Sequence, residues 1–401
     1  MPLKARIPYG AYWSTPFARW QGSFANLHSI EFAAHVARAE LARRGINPKG
    51  FGYGALGLTV PQHRCFYGLP WLAGLIGAGH LGGPTLMQAC ATGVRTLLAA
   101  AQEIELGMAD TALAITCDRT SNSPHLYHPN PRGPGGTGTA EDWMLDNFAC
   151  DPLGPHAMIT TAENVARKYG LAAAEQHALV LRREAQYGAA LADGAAFLKR
   201  FMTLPFEVPA PNYRESLGTL EADEGVSRST PEGLAKLRPV VEGGSITYGG
   251  QTHPADGSAA IVLTTAERSR EFARDPAIAV RLHGFGLARV ALAYMPEATV
   301  PAAQRALEQA GRSIGQMTAI KTHNPFAVND LCFAKATGVD PMMMNNYGCS
   351  LVWGHPQGPT GTRSVIELIE ELVIRGGGWG LFTGCAAGDT AMAMVIEVGD
   401  D

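Results

Sequence analysis

Apolar positions in the segment from Thr92 to Thr116, TGVRTLLAAAQEIELGMADTALAIT, recur at helical spacing as far as a glycine-bearing turn and then close up into a short apolar strand. The segment from Thr360 to Thr383, TGTRSVIELIEELVIRGGGWGLFT, repeats that order: the same opening TG-x-R, a helical pattern, a glycine turn and an apolar strand. Two parts of the chain therefore share one architecture. Further apolar strands lie upstream of each copy, Gly54 to Val60 and PTLMQ before the first and Met317 to Thr322 before the second. Strands alternating with helices predict parallel sheets covered by helices on both faces. The run Gly376-Gly377-Gly378 precedes a strand rather than a helix, so it reads as a helix-ending turn and not as a phosphate cradle.

Between the copies, from Cys117 to Gly250, the pattern changes. A Pro/Gly/His-rich run covers Ser123 to Gly138, followed by an amphipathic stretch, ITTAENVARKYGLAAAEQHALVLRREAQYG, for which Thr160 or Thr161 is the expected N-cap. This predicts a loop domain over 119–244, inserted between an N-terminal half (1–118 plus 245–272) and a C-terminal half (273–401).

The 401 residues, 46% hydrophobic and 17% charged, suffice for a large buried core. A formal charge of -4 without any block of lysine or arginine argues against a nucleic-acid partner and against an anionic membrane surface. The opening MPLKARIPYGAYWSTPFARW has no uninterrupted apolar core of a secretory signal, and the apolar runs are too short to span a bilayer, so a cytoplasmic location is expected. Seven scattered cysteines, without paired CxxC motifs, read as reduced thiols and give no structural zinc site. His125 and His128, with Asp142 and Asp146 nearby, read as solvated loop polars rather than metal ligands.

Cys90 is the first candidate for chemistry. It follows the PTLMQ strand and precedes the helix beginning at Thr92 or Gly93, and a sulfur at a helix N-terminus is biased toward thiolate. A buried cysteine packing as a small hydrophobe gives the same local pattern. His355, between Gly354 and Pro356, sits on a tight turn from which an imidazole can reach a cleft. Cys385, within GCAAGD, is expected in another small-residue turn that a substrate can approach.

Together these segments resemble the thiolase family, in order and over nearly the whole chain. QACATG resembles its nucleophile segment, NYGCSLVWGHPQGPTG its histidine segment and GCAAGD its second-cysteine segment. SITYGGQTHPADGSAA resembles its coenzyme-binding stretch, and AENVARKYG with the later LAKLRP resembles its loop domain. The resemblance implies a duplicated, five-layered α/β/α/β/α fold, coenzyme A as co-substrate and no permanently bound cofactor or metal. It implies Cys90 as acyl-carrying nucleophile, His355 as its base and Cys385 as the second acid/base. His323, with a water, would hold the enolate oxygen, and the backbone N–H groups of Cys90 and Ala387 the other oxyanion. The thioester end of CoA would pass Met158, Thr252 and His253, with Phe326 near the reactive centre. His156 joins this set subject to a one-residue slip in the alignment.

The chain also departs from the family's pattern. His323-Asn324-Pro325-Phe326 stands where the family commonly has Asn-Glu-Ala-Phe, which resembles the branch of sterol carrier thiolases. Ala91-Thr92 replaces the common Gly-Ser, and His253 stands where glycine is usual. These changes imply an unusual bulky or aromatic acyl group, and the aromatic HRCFYGLPW between His63 and Trp71 reads as either an acyl-pocket or a dimer surface. The resemblance further implies a homodimer or tetramer, and a small partner subunit with a zinc ribbon and an OB-like fold for some divergent relatives. Two other readings fit parts of the pattern: a decarboxylating ketosynthase using Cys90, His323 and His355, and a non-catalytic thiolase-like subunit.

Overall fold

The computed structural model describes residues 2–400. Short strands β1 (Arg6–Pro8), β2 (Tyr12–Ser14) and β3 (Ala18–Arg19) open the chain, and α1 (Ser29–Arg43) leads to β4 (Tyr53–Gly57). Helix α2 (Gly68–Leu75), β5 (Thr85–Leu86), α3 (Thr92–Glu105) and β6 (Thr111–Arg119) complete the first copy of the repeat. The intervening segment holds a hairpin of β7 (His125–His128) and β8 (Thr139–Asp142), then helices α4 (Leu145–Ala149), α5 (Met158–Tyr169) and α6 (Ala173–Ala195). A second hairpin, β9 (Phe206–Pro209) with β10 (Ser216–Leu220), and α7 (Pro231–Ala235) follow. The chain returns through β11 (Ala255–Thr264), α8 (Ala266–Phe272), β12 (Ile278–Arg289) and α9 (Thr299–Ala310). The second copy comprises β13 (Ala319–His323), α10 (Ala327–Thr337), α11 (Ser350–Trp353), α12 (Gly358–Ile374), β14 (Gly378–Ala386) and β15 (Thr390–Asp400).

The strands run in the order β13-β14-β15-β12-β1-β11-β6-β4-β5, so the half-sheets are joined edge to edge by the three residues of β1, which pair with both β11 and β12. Each half is mixed rather than all-parallel. β4 with β6 and β13 with β14 are parallel, as strand–helix–strand alternation requires, but β11, β12 and β15 run antiparallel to their neighbours. The reason in the second half is local: a tight turn at Gly388 (φ 79°) and Asp389 (φ 57°) sends β15 straight back along β14.

Three apolar clusters mark the layers. Phe32 and Val36 of α1 and Leu72 of α2 pack on Leu56, Ile115 and Val262 of the first half-sheet. Ala302, Ala306 and Leu307 of α9 pack on Leu381, Ala393 and Val395 of the second. Between the sheets lie α3 and α12, contributing Val94, Leu97, Ala101, Val365, Ile369 and Leu372 to the central core. The five-layered order is thus α1/α2, sheet, α3/α12, sheet, α9.

The repeated TG-x-R explains how two helices share one layer. A Cβ on Gly93 would lie 2.6 Å from the Thr362 nitrogen, and one on Gly361 would lie 3.4 Å from the Val94 nitrogen. The helices cross at these two glycines, one from each copy, and the absence of side chains lets the backbones touch. Their N-terminal ends thereby meet, together with the segments leading into them.

Two expectations for local structure need correction. Helix α5 starts at Met158 with Ala157 as N-cap, and Thr161 turns its hydroxyl back to the Met158 carbonyl, so neither Thr160 nor Thr161 caps it. The long amphipathic stretch also breaks at Gly170, left-handed at φ 63°, which separates α5 from α6. Cys385 lies inside β14 and is fully buried, with the turn following at Gly388 and Asp389. Of the aromatic run, Phe66 and Tyr67 are exposed at the surface, 96% and 68% accessible, and stack edge to face. No helix among the described residues is long and apolar enough to cross a membrane.

Candidate active site

Both central helices are reached through a residue with left-handed backbone. Ala89 (φ 44°) precedes Cys90 three residues before Thr92, and Gln357 (φ 61°) stands three residues before Thr360. Such φ values are unfavourable for side-chain-bearing residues and persist only where the surroundings impose them. Here they turn the chain sharply into α3 and α12 and leave Cys90, Gln357 and His355 at one meeting point.

The Cys90 sulfur lies 3.1 Å from Nε2 of His355 and 3.3 Å from Oε1 of Gln357. Nδ1 of His355 is 2.7 Å from the Thr360 hydroxyl; with Nδ1–H donating to that oxygen, Nε2 keeps its lone pair toward the thiol. His355 is placed by Gly354 (φ 93°) and by its backbone N–H donating to the His253 carbonyl at 2.9 Å. His323, at the end of β13, stacks on His355 with ring centroids 4.1 Å apart. Cys90, His323 and His355 each bring a polar atom within 4.8 Å of the others.

Nδ1 of His323 meets the Ser350 hydroxyl at 2.8 Å, whereas Nε2 is buried without a partner. The Ser350 hydroxyl is also 3.0 Å from Oδ1 of Asn324; when it turns its one proton to Nδ1 of His323 instead, Nε2 carries the imidazole proton and can donate to an oxygen placed beside it. The backbone N–H groups of Ala387 and Cys90 point to the Cys90 sulfur. Cys385 reaches the same centre from β14: the charge of the Cys90 sulfur acts on it, and Nδ2 of Asn329 donates to its sulfur at 3.1 Å.

Burial sets the resting protonation states. It pushes the Cys90 thiol up to about 12, opposed by the two backbone N–H groups, and pulls His355 down to about 3. His323 is likewise held well below the usual histidine range, by burial first and by the neighbouring His355 second. Cys385 is raised by burial and then by Cys90. Both shifts oppose charge, so the resting pair is neutral thiol and neutral imidazole.

The family model of the thiolase N-terminal domain matches residues 11–267, and that of the thiolase C-terminal domain residues 276–398. The chain belongs to the thiolase family. Thiolases are acyltransferases, and among them an acetyl-CoA acetyltransferase of Chromobacterium violaceum is 30% identical over 96% of this chain and 97% of its own length. A beta-ketothiolase of Cupriavidus necator is also 30% identical, covering 96% of each chain. The human mitochondrial 3-ketoacyl-CoA thiolase structure superposes with a TM-score of 0.89 over 98% of both chains at 24% identity, which speaks to the fold.

A cavity of about 570 Å³ opens over this thiolase centre. Ala89, Gln357, Ala387 and Gly388 form its floor, and Trp143, Phe148, Leu153 and Met158 supply apolar walls from the segment between the repeats. Of the residues suggested for CoA, Met158 is on this wall. Thr252 lies behind it, donating its hydroxyl to the Ser350 carbonyl, and His253 packs its ring against Gly354. Phe326 is buried as the N-cap residue of α10 and bridges to Gln251. His156 sits by Asp151 and Asp389 at the cavity rim, its Nε2 unpartnered. His125 and His128 pair with Asp142 and Glu141 on the exposed hairpin.

Gln357, Asn329, Ser350 and Thr360 were not singled out from the sequence. Gln357 lies within the GHPQG of the histidine segment, where it was readable as a polar side chain on a glycine-flanked bend. Ser350 and Asn329 act on partners 27 and 56 residues away, for which the sequence carries no local signal, while Thr360 lies five residues from His355 within the same segment.

Proposed function

We propose that the chain cleaves, or in reverse condenses, a 3-ketoacyl-CoA through an acyl-thioester on Cys90. The observation that carries this reading is the 3.1 Å contact between the Cys90 sulfur and Nε2 of His355, with the Ala387 and Cys90 N–H groups aimed at that sulfur. In cleavage, Nε2 takes the thiol proton as sulfur bonds to the 3-keto carbon, and the oxyanion is held by those two N–H groups. The carbon–carbon bond breaks, its electron pair leaving as the enolate of an acyl-CoA. Nε2–H of His323 donates to the enolate oxygen, and Cys385 protonates the carbon. Free CoA, deprotonated at its sulfur by Cys385, then takes the acyl group and releases Cys90.

Support for CoA comes from relatives named as acetyl-CoA acetyltransferases and from a human 3-ketoacyl-CoA thiolase structure described in complex with CoA. We assign CoA recognition to the 119–244 segment with Met158, Thr252, His253, Phe326 and His156 around the thioester end. The aromatic walls Trp143 and Phe148, with Met87, Met144 and Leu153, favour a bulky or aromatic acyl group. A thiolase reading is preferred over a decarboxylating ketosynthase because Cys385 is buried beside Cys90 and held by Asn329, as a second acid/base requires. We place the enzyme in the cytoplasm, as a homodimer or tetramer, with a small zinc-ribbon/OB-fold subunit as a candidate partner.

The test is a panel of 3-ketoacyl-CoA esters with straight and aromatic acyl groups, followed by loss of ester with and without free CoA. Cleavage that requires free CoA and is faster for the aromatic ester supports the reading; no cleavage with free CoA, together with carbon dioxide release from malonyl-CoA in the presence of an acyl-CoA primer, would replace it by the ketosynthase.

A further inference from the structure

A second pocket, about 440 Å³, opens beside the catalytic cavity and shares Gln88, Arg289 and Thr390 with it. Its lining contains three arginines from three elements: Arg95 of α3, Arg289 at the end of β12 and Arg305 of α9. No carboxylate lines it, and among the described residues none of the three arginines has an acidic partner. Arg95 is half-buried, its Nε donating to Oε1 of Gln88 at 2.7 Å, and Arg305 donates to the Leu287 carbonyl. Arg289 and Arg305 are exposed, whereas the fully buried arginines of the chain are each paired, as in Arg183 with Asp330 and Arg363 with Asp223. Three guanidinium groups around one pocket, without a counter-charge, form a receptor for an anion, and the fork of each matches a carboxylate or phosphate oxygen pair.

We propose that this pocket binds an anionic group on the acyl portion of the substrate, so that the preferred 3-ketoacyl-CoA carries a carboxylate as well as its thioester. Position separates this source from the phosphates of CoA. Gln88 is two residues from Cys90 and lines both cavities, so the pocket lies next to the reacting carbon. The phosphates of CoA are held away from that carbon by the whole pantetheine arm. Arg289 lines the catalytic cavity as well, so a carboxylate carried by the acyl chain meets it from there. The inference rests on the thiolase reading above and narrows its substrate class.

Two 3-ketoacyl-CoA esters of equal chain length, one ending in a carboxylate and one in a methyl group, test this on the full-length enzyme. The expected result is a kcat/KM ratio of about tenfold or more in favour of the carboxylate, and a fall of that ratio by about tenfold in Arg289→Gln and in Arg305→Gln. Equal use of both esters, or a ratio that the two substitutions leave unmoved, overturns the proposal. A rise in KM for free CoA in the variants, with both esters weakened alike, assigns the anion to the phosphates of CoA and overturns it too. A smaller oligomer on sizing, with selectivity unchanged, assigns the arginines to a subunit contact and does the same. If neither ester is cleaved, the thiolase reading fails by itself; quenching of Trp143 fluorescence at lower concentration of the carboxylate ester than of the methyl ester still supports the pocket, and equal quenching overturns it.

Discussion

The two copies of the repeat use equivalent positions for opposite purposes. Aligned through Thr116 and Thr383, Asp118 of β6 corresponds to Cys385 of β14, and the strand pairing sets Leu58 of the first half against His323 of the second. In the first half the strand ends do structural work. The Asp118 carboxylate accepts the N–H groups of Thr59, Val60 and Gly358, all at 2.8 Å, and so anchors the start of α12. In the second half the same strand ends carry a thiol and an imidazole facing the start of α3, where Cys90 lies. The lead-in residues Ala89 and Gln357 share their left-handed backbone, yet one precedes the nucleophile and the other presents an amide to it. The repeat thus places two sets of equivalent strand ends at the crossing helix ends. One became a cap, and the other kept room for a substrate.

The largest effect that would break this contrast falls on the nucleophile: Cys90→Ser should lower kcat by about 10⁴-fold or more with little change in Tm. If the cleft at Asp118 and Gln357 were instead the reactive one, that substitution would be mild. Next, Cys385→Ala should lower kcat by about 10²–10⁴-fold, because the enolate carbon loses its proton donor, whereas acylation of Cys90 should persist. His323→Asn should cost about 10²–10³ in rate, as expected for one oxyanion donor moved or lost. The same variant sharpens the pH behaviour. His323 is held below its ordinary range, so the unfolded chain binds a proton that the folded one does not. Its stabilising contribution is present above pH 6.5 and is lost as pH falls below it, at up to about 1.4 kcal/mol per pH unit. The drop in Tm between pH 7 and pH 5 should therefore be smaller in His323→Asn than in the parent. The smallest effect belongs to the structural half: Asp118→Asn should cost about 1 kcal/mol of stability and less than tenfold in rate. Burial already raises this carboxyl to about 7, so much of it is uncharged at neutral pH.

The duplicated fold was legible because its cause is local. TG-x-R recurs where two helices touch, and at Gly93 a Cβ would collide with the Thr362 nitrogen at 2.6 Å. Cys90, His355 and His323 were legible through the segments carrying them, and the structure brings the three together within 4.8 Å. Cys385 was misplaced onto a turn because GCAAGD has turn-like small residues, while its pairing with Ala391 of β15 is a matter of the hairpin as a whole. The mixed strand directions were invisible for the same reason. Ser350 and Asn329 orient the reactive groups through side-chain contacts across the fold, and Thr360 does so for His355 across a five-residue bend; periodicity records none of these.

The most direct test of the central claim is mass spectrometry of the enzyme mixed with a 3-ketoacyl-CoA in the absence of free CoA. The account requires one acyl group on the peptide containing Cys90, discharged when CoA is added and absent in His355→Ala. An acyl group on Cys385 instead, or steady cleavage with no adduct on Cys90, would contradict it.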